Sequence, residues 1–135
     1  MNKLNPYITF LGNTRQAMEF YKTVLGGNLT ISTFKDMNAA HGTEQENLIM
    51  HSELIADNGM TIMASDDPEQ QAKSINTSIS LSGDNEPELK GFWDKLTDGA
   101  TIIVPFEKAQ WGDTFGMLTD KFGIRWLVNA AKPKP

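Results

Sequence analysis

Two hydrophobic periods take turns along this chain. Residues 4–11, "LNPYITFL", carry the period of two that marks a half-buried strand. From residue 14 the period lengthens. Ala17, Phe20, Tyr21 and Val24 recur at i, i+3, i+4 and i+7, one face of a helix over 14–25. Asn13 stands where an N-cap accepts a backbone N–H, and Gly26 or Gly27 where a helix stops. Three strands follow at about 28–35, 47–56 and 59–65, the last two joined at the tight "DNG" turn of 57–59.

The same grammar then runs a second time. A strand over 75–82 leads into a helix over 86–97, where Leu89, Phe92, Trp93 and Leu96 repeat the helical stripe. Asp84 or Asn85 is its cap and Gly99 its stop; strands at 100–106, 114–119 and 123–130 complete the copy. Laid over one another, Ile8 falls on Ile79, Asn13 on Asn85, Phe20 and Tyr21 on Phe92 and Trp93, and Gly27 on Gly99. Further on, Leu54 meets Leu118, Gly59 meets Gly123 and Met63 meets Leu127. Ordered landmarks of this kind predict an internal repeat: two βαβββ modules, about 1–66 and 75–131, within one α+β domain spanning 1–135.

Alternation also assigns faces. Ile124, Trp126 and Val128 belong under the helix, and Arg125, Leu127 and Asn129 on the opposite side. By the same rule Tyr7, Thr9, Thr61, Met63 and Ser65 point away from the first helix, and Ser78 and Ser80 away from the second.

Composition narrows what such modules can do. At 135 residues the chain buries roughly two thirds of its unfolded surface and needs no staple. It has no cysteine, which excludes disulfides, thiol nucleophiles and Cys-ligated metal sites. The net charge is −5 and the 12 Lys and Arg residues are scattered, so no basic stripe exists to neutralise a nucleic-acid backbone. No apolar run approaches the ~18 residues that span a bilayer. The start, "MNKLNPYITF", has no apolar core of a secretion signal, so a cytoplasmic protein without membrane contact is expected.

The stretches "LNPYITFLGNTRQAMEFYKTVLGG", "IMHSELIADNGMTIMASD" and "WGDTFGMLTDKFGIRWLVN" resemble the PhnB-like group of the vicinal oxygen chelate superfamily. That superfamily includes glyoxalase I, extradiol dioxygenases and bleomycin-resistance proteins. The group is often labelled 3-demethylubiquinone-9 3-methyltransferase. The resemblance covers nearly the whole chain and weakens at loops 36–46 and 67–74. It implies a cleft between two curved half-sheets, helices packed outside, and a homodimer. In metal-dependent relatives the first and last strands of each module each give one ligand, usually His, Gln or Glu. Carried onto this sequence, those positions are Pro6 or Tyr7, Met63, Ser78 and Leu127. Methionine sulfur is soft, leucine has no donor, and neutral hydroxyls hold divalent ions poorly. The expectation is therefore no metal and no cofactor.

"MHSEL", 50–54, is the remaining source of chemistry. His51 and Glu53 share one strand face about 7 Å apart, with Met50, Ser52 and Leu54 toward the helix. The pair suits a general base with its orienting group, or two ligands of a displaced metal. The plainer reading has His51 bonded to a neighbour and Glu53 solvated. Their counterparts in the second copy are Phe115 and Met117, which makes the two copies chemically unlike.

Trp111 and Phe115 offer a stacking wall for a planar ligand, or else plug the sheet, and Gly112 and Gly116 allow curvature or a bulge. Arg125 suits an anionic ligand or an ion pair. His41 lies in a polar loop, as a lid candidate or simply exposed, and "DDPEQQAK", 66–73, has the composition of a solvated linker. Methyl transfer from S-adenosylmethionine calls for a Gly-rich loop between a parallel strand and a helix, and the sequence has none.

The function expected is metal-free binding of a small organic molecule by Tyr7, Thr9, His51, Glu53, Met63, Ser78, Trp111, Phe115, Arg125 and Leu127. The competing reading is an isomerase or lyase, metal-dependent or run by His51 and Glu53 as its catalytic candidates.

Overall fold

Each module lays one helix across one face of a four-stranded sheet. The computed structural model describes residues 3–68 and 77–132 and divides into two units between Ile75 and Asn76. In the first unit β1 (Tyr7–Phe10) leads to α1 (Thr14–Leu25), then β2 (Asn28–Thr33), a short 3-10 turn at Thr43–Gln45, β3 (Ile49–Ile55) and β4 (Thr61–Asp66). The second unit runs β5 (Ser78–Gly83), α2 (Glu86–Leu96), β6 (Thr101–Lys108), β7 (Thr114–Thr119) and β8 (Arg125–Ala130). The sheet orders are β1-β4-β3-β2 and β5-β8-β7-β6. In each, the first strand pairs parallel with the last and every other pairing is antiparallel. The expected α+β class and the βαβββ order are both present. Residues 69–76, which include most of the expected linker and the start of the 75–82 strand, lie outside the described residues.

The two periods of the sequence become two sides of one core. In the first unit Ile8, Phe10, Leu54, Ile62 and Ala64 are buried, as are Ala17, Met18, Tyr21, Val24 and Leu25 of α1. In the second, Ile79, Leu81, Leu118, Trp126 and Val128 are buried with Leu89, Trp93 and Leu96 of α2. A fully buried side chain of this kind contributes about 1.5–3 kcal/mol. The hairpins repeat to the bond: Ala56 N donates to Met60 O and Gly59 N to Ala56 O, as Asp120 N does to Ile124 O and Gly123 N to Asp120 O. Gly59 and Gly123 hold φ of 90° and 89°, a left-handed turn that suits glycine.

The registers correct the repeat by two residues. Tyr7 pairs with Met63 and Ser80 with Leu127, so Ile8 corresponds to Leu81 and not to Ile79. The slip is even, so every face assignment survives it. Met50 is a second correction. Ser32 pairs with His51 but Thr33 with Ile49, so Met50 is an extra residue in a bulge, 37% exposed, and Ile49 takes its place in the core. Gly116 sits, as expected, opposite a bulge, since Val104 pairs with Met117 and Glu107 with Phe115; a Cβ there would also come within 2.8 Å of the Trp93 ring and 2.9 Å of the Phe106 backbone.

Asp66 is a third correction, since it is no linker residue. It is 3% exposed, on the helix side of β4 in step with Ile62 and Ala64. Its Oδ1 accepts from Gly12 N at 2.9 Å, Thr14 N at 3.1 Å and Thr14 Oγ1 at 2.7 Å, and its Oδ2 accepts from Ile49 N at 2.8 Å. This carboxylate, from the far end of the module, caps α1. Asn13 occupies the cap position but makes no capping side-chain bond. In α2 the expected cap forms, with Asn85 Oδ1 accepting from Glu88 N at 3.1 Å. The second unit buries a different carboxylate, Asp120, which accepts from Phe122 N, Ile124 N and the Trp126 indole. The position matching Asp66 there is Ala130, and the position matching Asp120 in the first unit is Ala56.

Replacing Asp66 with Ala leaves its donors, three of them backbone, without an acceptor. Urea unfolding of Asp66→Ala is expected to show a loss of about 3 kcal/mol or more. A loss within experimental error of wild type would refute the capping role.

Candidate functional site

In each unit the helix covers one side of the sheet, and side chains of the other parity stand on the opposite side. In the first unit Tyr7, Met63, Glu53 and Thr30 form one row across four strands, each Cα-paired with the next. Thr9 pairs with Ser65 and His51 with Ser32 on the same side. Five of the expected residues, Tyr7, Thr9, His51, Glu53 and Met63, are thus on one helix-free face. Tyr7 is 49% exposed, and Glu53 and Met63 are half-buried.

Tyr7 and His51 reach toward each other over the intervening strand β4. Their rings are 5.9 Å apart at 33°, with Tyr7 Oη 3.3 Å from His51 Nδ1. The roles in this contact depend on the ring tautomer: when Tyr7 donates to Nδ1, the imidazole N–H is on Nε2. His51 is thus bonded to a neighbour, while Glu53 is half-buried. His51 then presents an N–H donor and Glu53 a carboxylate acceptor two residues along the same strand.

The other five expected residues belong to the second unit. Ser78 pairs with Arg125, and Leu127 lies between Ser80 and Met117. Phe115 pairs with Asn129, and its ring lies 6.1 Å from that of Trp111. Trp111 is 60% exposed in the turn before β7. Asp113, in the same turn, has no sequence signature of its role. It accepts from Lys132 N at 2.9 Å and Asn129 Nδ2 at 3.1 Å, bonds that hold its carboxyl below the usual carboxylate range. The Trp111 side chain adds a smaller contribution in the same direction. His41 is exposed in its loop, where its backbone N–H donates to Gln45 Oε1.

The positions where metal-dependent relatives place ligands do not fit a divalent ion. Tyr7 is engaged by His51, Met63 offers only a thioether, Ser78 or its register equivalent Ser80 a neutral hydroxyl, and Leu127 nothing. Among the described residues no group of three or more His, Cys, Asp or Glu is arranged to hold a metal.

Residues 2–129 match the family model described as 3-demethylubiquinone-9 3-methyltransferase. The chain is 30% identical to protein YjdN of Escherichia coli (strain K12), over 98% of this chain and 97% of that one. The crystal structure of protein PA1353 from Pseudomonas aeruginosa is similar at 31% identity and a TM-score of 0.82, covering 98% of this chain and all (100%) of that one. A PhnB protein from Bacillus cereus is similar at 24% identity and a TM-score of 0.77, over 96% and 100% of the two chains. Solved members of the glyoxalase/bleomycin resistance protein/dioxygenase superfamily share the fold at 10–14% identity, with TM-scores of 0.58–0.70.

Tyr7→Phe removes the hydroxyl that lies on His51 Nδ1. Imidazole 15N shifts are expected to report the Nε2–H form in the wild type and a mixture of both tautomers in Tyr7→Phe. The same tautomer balance in both proteins would contradict the contact.

Proposed function

The chain belongs to the 3-demethylubiquinone-9 3-methyltransferase family, on the glyoxalase/bleomycin resistance fold, and from that membership we propose that it binds a small organic molecule without a metal. The observation that supports this is the gathering of Tyr7, Thr9, His51, Glu53 and Met63 on the helix-free face of the first unit. An N–H donor from His51 and an acceptor from Glu53 flank the apolar Met63, the mix of few polar groups on apolar surface that small-molecule sites use. Ser78, Phe115, Arg125 and Leu127 are proposed to serve on the corresponding face of the second unit, with Trp111 at its rim. No helix of the described residues is long and apolar enough to cross a membrane. A cytoplasmic location, homodimer assembly and no engagement of nucleic acid belong to the same proposal.

The methyltransferase name does not carry over to a nucleotide-type site. Both helix N-termini, where an anionic cofactor group would be held, are engaged by the chain itself. Asp66 occupies that of α1, and Asn85 caps that of α2, whose first turn carries Glu86 and Glu88.

A second reading rests on the Tyr7–His51 contact. With Tyr7 orienting the imidazole, His51 and Glu53 form an acid–base pair able to move a proton beside a carbonyl, as an isomerase or lyase requires.

Titrating 15N-labelled protein with a panel of small phenols and ketones tests the binding face. Saturable shifts at Thr9, His51, Glu53 and Met63, weakened roughly tenfold by Glu53→Ala, are expected for one hydrogen bond to a charged acceptor. Absence of saturable shifts on that face across the panel would oppose the proposal. Proton–deuterium exchange alpha to the carbonyl of a bound ketone, lost in His51→Ala, would establish the second reading.

A further inference from the structure

The second unit has a hollow that its sheet chemistry leaves unused. It lies on the helix side, between the first turns of α2 and the β6–β7 edge, with a volume of about 440 Å³. That is within the range of small-molecule pockets. Glu86 and Lys90, one turn apart on α2, line one wall, facing Phe106 and Lys108 of β6 and Thr114 of β7. Lys132 and Gly112 close one end. Gly112 has φ of 99°, and a Cβ there would come within 2.8 Å of Lys132 Cδ, so its glycine gives the lysine stem its room.

The charges in this hollow are unequally satisfied. Thr114 Oγ1 donates to Glu86 Oε1 at 2.7 Å, and Lys90 Nζ bonds both oxygens of Asp94 at 2.8 and 3.0 Å. Those two charges are already met. Lys132 lies close enough to Asp113 to help hold it ionised. The Lys108 ammonium makes no hydrogen bond or ion pair among the described residues. With Lys90 on Asp94 and Lys132 beside Asp113, Lys108 is the lining cation left without such a partner among the described residues. Phe106 supplies an aromatic surface. One of its faces stacks on Trp93, with centroids 5.5 Å apart at 25°, while the ring also lines the hollow.

We propose that this hollow is a binding site for a small organic monocarboxylate with a planar apolar body. Its carboxylate is held by Lys108 and Lys132, and its body lies on Phe106. One negative charge matches the Lys108 ammonium. A second would remain unpaired beside Glu107, which argues against phosphate monoesters. The site is separate from the sheet faces of the proposed function and stands or falls without them.

The probe is benzoate, titrated into 15N-labelled full-length protein, with benzyl alcohol and acetate as partners that lack the charge or the ring. Benzoate is expected to give saturable shifts at Lys108, Gly112 and Thr114 in the millimolar range of a fragment. Benzyl alcohol and acetate should each bind about tenfold more weakly, and Lys108→Gln combined with Lys132→Gln should weaken benzoate by a similar factor. Both lysines are exposed, so the variant keeps the core, and an unchanged spectrum elsewhere confirms its fold. The proposal is overturned by linear, unsaturated shifts, by equal binding of benzyl alcohol, or by benzoate binding that ignores the lysine substitutions.

Discussion

A single buried carboxylate holds the first unit in register. Asp66 ends β4, yet its two oxygens bind the start of α1 and the start of β3. Burial of such a group is unfavourable unless its lone pairs are met, and four short bonds meet them. The geometry follows from that requirement. The helix start, the parallel strand β4 and the bulged entry of β3 must all converge on one point. With that corner closed, the parity of β1, β3 and β4 is set, and Tyr7, His51, Glu53 and Met63 emerge together on the other side.

The two copies solve the same problem at different corners. The first puts its carboxylate where β4 ends and alanine where the hairpin begins; the second puts alanine where β8 ends and Asp120 at the hairpin. The faces differ as well. The first copy presents His51 and Glu53, and the second presents Phe115 and Met117 at the matching places beside Leu127. The two copies share a frame of main-chain bonds, visible in the twin hairpins. The side chains on their sheet faces differ.

Most of the frame was legible because it is periodic. The helical stripes through Tyr21 and Trp93, the DNG turn and the alternation through Trp126 each follow from one repeat length. What period-counting could not see was the exception to it. The bulge at Met50 shifts one residue between faces, and a two-residue slip of the first strand leaves the alternation untouched. Asp66 had a usable signal, since it continues the buried Ile62, Ala64 series at spacing two. Its charge and its polar neighbours outweighed that signal. Asp113 had none, because its partners are the backbone of Lys132 and the amide of Asn129, distant in sequence. The site residues were legible as faces, while the Tyr7–His51 contact depends on two strands separated by a third.

The central functional proposal is that the chain binds an organic molecule without a metal. Tyr7, Met63, Ser78 and Leu127 lack the donors that a divalent ion needs, and Tyr7 is committed to His51. The most direct test is the metal content of protein purified without chelator, with the melting temperature followed as Ni²⁺, Zn²⁺, Mn²⁺ and Fe²⁺ are added. A ligand of the folded state raises the melting temperature with its concentration. The account predicts substoichiometric metal and a melting temperature that none of the four ions raises. Stoichiometric metal, with a rise in melting temperature that His51→Ala abolishes, would contradict it.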